Sequence, residues 1–347
     1  GCALHDRADP QGAGRDEQHV RHQAHGDHRP HVLPAQPLPE HEGVLCPDRH
    51  DERQAGREPR EAGGEGGGHG HEGTVWHAGI VPARTPALAW RVLPAAGVSL
   101  SAFLLFALLL PGWGHALLLA SVVAAWLVDR ELGRDLTLIG LGIAIVSTTS
   151  VEADVSWDRF LTIGTVLTLA FVVPLAVDRL VYRRRAITFP WRTGQPWLPM
   201  QKAYVVAVPL LGWAILPFYF IRSGAYQNWP HITTGSELVR FFLGVNFVGL
   251  WDELFFIITC FALLRRHFGV WTANVLQAVI FVSFLWELGY RSWGPLLTIP
   301  FALLQGWIFT RTKSLTYVVV VHLLFDVIVF LAIIHAHNPH WIPIFIY

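Results

Sequence analysis

From about residue 91 to the last residue, apolar runs of roughly 15 to 25 residues follow one another with only short polar breaks. A hydrocarbon core about 30 Å thick demands runs of that length from a helix, since lipid offers no partner to a backbone N–H or C=O. The pattern excludes a soluble fold and predicts an all-α, polytopic integral membrane helical bundle. Helices are expected near 92–110, 113–128, 136–150, 160–178, 203–221, 238–264, 271–288, 294–310 and 314–334. The third run is short and Pro111-Gly112 is a tight break, so the count stands at eight to nine transmembrane helices.

The basic residues give an orientation. Arg91, Arg130 with Arg134, Arg183 to Arg185, Arg265 with Arg266, and Arg311 with Lys313 fall on alternate connections, which share one side of the membrane if all nine runs cross it. A cytoplasmic N-terminus is therefore expected. Trp113, Trp157, Trp229, Trp271 and Trp293 cluster at helix ends, where interfacial anchors belong. The proline-rich connection around 183–202 divides N-terminal transmembrane helices (90–182) from a C-terminal transmembrane domain (200–335).

Residues 1–85 are different in kind. They hold eleven of the 18 histidines and no Phe, Tyr or Lys. Such a segment cannot bury enough apolar surface to offset its ordering entropy and is expected to be disordered. With Gly at the first position and Met200 the only methionine, it also reads as an artefact of the gene model. Formal net charge is zero, which gives no field for nucleic acid as a partner. Cys2, Cys46 and Cys260 have neither disulfide-framework nor metal spacing.

Within the apolar runs, ionisable residues are the exception that needs a reason. Asp252 and Glu253 are adjacent inside Gly249-Leu-Trp-Asp-Glu-Leu-Phe-Phe-Ile257. A charged side chain at mid-bilayer costs roughly 2.5 to 3.5 kcal/mol on insertion scales, so such groups face protein or water. Glu287 sits near the end of a later run, and His322 and Asp326, four apart, share one helix face. The expectation is a polar pocket inside a membrane bundle. Two carboxylates in low dielectric tend to share a proton, which suits water activation, a cation or proton pathway, or an inert hydrogen-bonded core.

Three motifs carry a resemblance: Asp252-Glu253-Leu-Phe-Phe-Ile257, Phe281-Val-Ser-Phe-Leu285 and His322-Leu-Leu-Phe-Asp326. Together, over about residues 238–335, they resemble the CPBP family of CAAX-type intramembrane proteases and bacteriocin-processing or immunity proteins. That family places Glu-Glu-x-x-x-Arg, Phe-x-x-x-His and His-x-x-x-Asn/Asp on successive helices. Here Asp252 stands at the first glutamate, Ile257 at the arginine and Leu285 at the middle histidine.

The resemblance implies an intramembrane endopeptidase of a bacterial plasma membrane, acting on a membrane-associated protein or peptide. Asp252 or Glu253 would activate water, while His322 and Asp326 stabilise the oxyanion. It also implies a divalent metal such as zinc as a candidate cofactor. Glu287, within a turn of Leu285, is the candidate replacement for the absent imidazole; its alternative is an ion pair with Arg291 at the helix end. Loss of the arginine and middle histidine points to the rival reading, a catalytically silent relative serving as an immunity, scaffold or partner-binding protein.

Overall fold

The computed structural model describes residues 86–345 apart from Arg192. The expectations for residues 1–85 lie outside the described residues. Nine helices form most of the described part, with no strand among the described residues. They are α1 (Pro86–Ala102, prolonged by a π-helical turn Phe103–Ala107), α2 (Pro111–Val128), α3 (Arg130–Val146) and α4 (Trp157–Ala176, prolonged by Val177–Val181). After α5 (Pro199–Ser223) comes the longest, α6, which begins as Gly235–Asp252, passes through a π-helical stretch Glu253–Phe261 and closes as Ala262–Arg265. The last three are α7 (Val270–Leu288), α8 (Pro295–Thr312) and α9 (Leu315–His337).

Seven of these are long and apolar enough to cross a membrane; α3 and α8, one shorter and both more polar, are not among them. The polytopic bundle expected from the sequence is thus present, with two of its nine helices outside that class. The N-terminal helices and the C-terminal set pack on one another: α1 lies against α7, α4 against α6, and α3 touches the π-helical stretch of α6.

Local chemistry sets the helix ends. Thr234 caps α6 by accepting from Glu237 N–H (3.3 Å), while Glu237 accepts in return from the N–H groups of Thr233 and Thr234 (2.9 and 3.0 Å). Asp129 caps α3 by accepting from the N–H groups of Glu131 and Leu132 (2.8 and 3.0 Å), so that helix starts six residues before the expected 136. Ser314 caps α9.

A buried ionic network fastens the basic end of the bundle. Asp135 of α3 is 1% exposed and accepts from Arg184, from Arg266 (2.9 Å) and from His267 (2.8 Å). Asp178, fully buried, accepts from Arg184 Nε (2.9 Å) and from the N–H groups of Ala186 and Ile187. His267 thus belongs to the buried network, and Asp178, in the terminal turn Val177–Val181 of α4, pairs with Arg184 while its neighbour Arg179 donates to the Ile187 carbonyl. Breaking one partner of a buried pair typically costs about 3–5 kcal/mol, so the network is a strong tie between α3 and the end of α6.

Candidate active site

Asp252 is the last residue of the first α-helical part of α6 and Glu253 opens its π-helical stretch, where Thr259 Oγ1 donates to the Leu254 carbonyl five residues back. A π-helical insertion alters the angular step between neighbours and is frequent at functional sites. Here the two adjacent carboxylates reach the same imidazole from different sides. Glu253 Oε1 accepts from His322 Nδ1 (2.7 Å) and from Gln305 Nε2 of α8 (2.6 Å). On the far side of the ring, Nε2 lies 3.8 Å from Asp252 Oδ2 and 3.7 Å from Asp326 Oδ1. Those separations exceed a direct hydrogen bond and match a contact bridged by a third polar atom.

The four residues differ in what they face. Asp252, His322 and Asp326 line a cavity of about 630 Å³, together with Tyr290, Phe301 and Leu285. Glu253 is fully buried and is absent from that lining, so it sits behind the ring. Oδ1 of Asp252, Oδ2 of Asp326 and Oε2 of Glu253 are buried without a protein hydrogen-bond partner among the described residues. Phe301 packs edge-on against the His322 ring at 5.0 Å between centroids, which restricts ring rotation.

Two glycines permit this convergence. A Cβ on Gly249, one turn before the carboxylates, would overlap Asp326 Oδ2 and press on His322 Cδ2 at 3.4 Å. A Cβ on Gly306, beside Gln305, would overlap Asn274 Oδ1 and hold α8 away from α7. Both positions need the space of the missing side chain.

Glu287 does not join this group. Buried at 5% exposure, it accepts from the Val151 N–H (3.2 Å) in the connection between α3 and α4 and lies outside the cavity lining. Arg291, its other expected partner, donates to Glu152 at 2.8 Å. Glu287 thus fastens the 147–156 connection, whose Val151, Ala153, Asp154 and Val155 form part of the cavity wall. Glu287→Ala is expected to lower stability by about 1–3 kcal/mol, because the Val151 N–H loses its acceptor. Thermal unfolding in detergent micelles checks it.

The sequence reading missed Gln305, Gly249, Tyr290 and Arg240. Gln305 had a signal: a lone amide in an apolar run seeks an interhelical partner. Tyr290, which lines the same cavity as Asp326 and Asp252, had none beyond its place after a helix end. Ile257 is fully buried in packing, and Leu285 contributes an apolar wall where the motif leads one to look for an imidazole. Among the described residues, no group of three or more His, Cys, Asp or Glu side chains is placed to hold a metal ion.

The helical bundle thus brings a carboxylate–imidazole cluster to the wall of a largely apolar cavity. Residues 234–328 match the family model described as Rce1-like, type II CAAX prenyl endopeptidase Rce1-like. The match spans α6 to most of α9, over a quarter of the chain, and supports a CAAX-type intramembrane protease at the level of the family. No curated protein and no solved structure matches the chain.

Proposed function

We propose that the protein is an intramembrane endopeptidase that hydrolyses a peptide bond in a membrane-associated protein or peptide. The observation that carries this reading is the split environment of His322: one ring nitrogen is held by Glu253, and the other faces two cavity-lining carboxylates. Asp252 acts as general base and takes a proton from a water molecule on the cavity side. Asp326 shares that water, and both carboxylates lie close enough to Nε2 to align the attack. With both ring nitrogens protonated, Nδ1 donates to Glu253 and Nε2–H is free to donate to the developing oxyanion.

Glu253 and Gln305 are positioning residues in this scheme. They fix the ring from behind, as the third member of a catalytic triad does. No step requires a metal. Leu285 in the wall favours the rival reading, a silent relative that only binds its partner, because it removes one general-base helper.

The deciding experiment is cleavage of a membrane-anchored peptide library by purified protein, compared with Asp252→Asn and His322→Ala, with and without chelator. Loss of cleavage in both variants, and indifference to chelator, are the expected results. A folded wild-type protein that cleaves nothing would move the assignment to the silent relative; chelator-sensitive cleavage would replace the metal-free scheme.

A further inference from the structure

Leu285 leaves the cavity wall one polar group short, and the same wall carries a hydroxyl that the scheme above does not use. Along α7, Phe281 lies beside the His322 ring at 6.3 Å between centroids, Leu285 lines the cavity one turn later, and Tyr290 follows where the helix ends. Gly289 makes the turn at φ +140°, a conformation that side chains disfavour, and a Cβ there would meet Trp229 Nε1 at 2.8 Å. This turn brings the Tyr290 N–H back to the Leu285 carbonyl at 3.0 Å, and Tyr290 joins the cavity lining beside it.

The tyrosine is held firmly. It is 7% exposed, and its ring stacks on Tyr219 (6.4 Å, 4° between planes), meets Trp229 edge-on at 5.4 Å and has Phe220 at 5.8 Å. Tyr219 spends its own hydroxyl on the Arg291 carbonyl at 2.7 Å. The Tyr290 hydroxyl has no hydrogen-bond partner among the described residues, so it is the polar group that the clamped ring offers to the cavity. Burial pushes this phenol well above its usual range, and the oxygen keeps its proton as a neutral donor.

The other donors on the lining are remote or spent. Arg240 lies twelve residues before Asp252 on α6, roughly 18 Å along the helix axis, and its Nε donates to the Val155 carbonyl at 2.6 Å. Thr165 and Thr168 of α4 are exposed, and Thr168 Oγ1 donates to the Gly164 carbonyl at 2.7 Å. Thr298 of α8 remains as a competitor, but its short side chain keeps the hydroxyl close to its own helix backbone.

We propose that Tyr290 is a catalytic residue whose hydroxyl donates to the oxyanion of the tetrahedral intermediate, as a second donor beside His322 Nε2–H. The proposal rests on the peptidase reading above. As Asp252 takes a proton from water, the water oxygen bonds to the carbonyl carbon and the carbonyl π pair moves onto its oxygen, where the two donors meet it. Tyr290 keeps its proton throughout. When the intermediate collapses, the C–N bond breaks and the leaving nitrogen takes the proton held by Asp252. A donor of this kind answers charge that develops only on the way to the intermediate and adds little to the binding of an uncut peptide.

The test compares wild type with Tyr290→Phe, which removes the hydroxyl and keeps the ring. The probes are one peptide that wild type cleaves and its phosphinate analogue, whose tetrahedral anionic group imitates the intermediate. Tyr290→Phe is expected to lower kcat about 10²-fold with KM nearly unchanged, and to weaken phosphinate binding about 10- to 100-fold. Binding of the uncut peptide, followed by fluorescence anisotropy in the Asp252→Asn background, should change by less than about twofold, with thermal unfolding showing that the variant is folded.

Unchanged kcat in Tyr290→Phe overturns the inference and leaves the peptidase reading intact. So does an equal loss of phosphinate and peptide binding together with a lower melting temperature, which marks a packing role. A loss of kcat that appears in Thr298→Val and not in Tyr290→Phe assigns the donor to α8 and also overturns it. A folded wild-type protein that neither cleaves a peptide nor binds the phosphinate overturns the peptidase reading itself, and the inference falls with it.

Discussion

Asp252→Asn is expected to lower kcat/KM by about 10²- to 10⁴-fold, the usual contribution of a positioned general base, with the protein still folded. The amide keeps the shape of the carboxylate and removes its capacity to take a proton. Because Asp252 Oδ1 is already without a protein hydrogen-bond partner among the described residues, the neutral side chain introduces no new unpaired charge. Glu253→Gln should behave differently. It leaves Asp252 and the cavity lining intact and weakens the hold on His322 Nδ1 together with the bond from Gln305, so kcat should fall by about 10- to 100-fold with KM nearly constant. A steady-state comparison of the two variants on one cleavable peptide checks this. Equal losses in both would mean that the two carboxylates act as one unit and that base and positioning residue cannot be told apart.

Gly249→Ala should damage the site through sterics alone. The added methyl group has no room beside Asp326 Oδ2, and its next neighbour is Cδ2 of the His322 ring at 3.4 Å. Overpacking of this kind costs about 1–3 kcal/mol, and here relief requires moving a site residue, so activity and thermal stability should fall together. Combining it with Asp326→Ala separates the two effects. The double variant should regain most of the lost stability, since the clash is gone, and should remain inactive. A double variant no more stable than Gly249→Ala would show that the methyl group meets something other than Asp326.

The helices were the legible part of this chain because lipid imposes length and apolarity on every span. Where charge interrupted the run, as at Arg130 to Asp135, the helix start went unread, although Asp129 followed by Glu131 is an ordinary capping signal. Adjacency joined Asp252 to Glu253 and four-residue spacing joined His322 to Asp326, while the meeting of the two pairs was implied by the resemblance and by the cost of charge in lipid. Their division of labour was not legible: one carboxylate behind the ring and one in front depends on the π-helical step at Glu253, which leaves no mark in hydropathy.

Glu287 shows the limit most clearly. Its nearness in sequence to Leu285 suggested a shared pocket, but which way it points depends on the 147–156 connection folding over α7, a contact between residues 136 positions apart. Arg240 was hidden for the opposite reason. An arginine near a helix end looks like an interfacial anchor until its cavity is known.

The ionic network makes α6 a beam supported by different forces at its two ends. Arg266 and His267 follow directly on the helix and are bound to Asp135 of α3, while at the opposite end Phe241 and Phe242 pack on Phe330 of α9 and Arg240 donates to Val155. Salt screens exposed charge and leaves apolar packing in place, so rising ionic strength loosens the end near residue 265 before the end near residue 240.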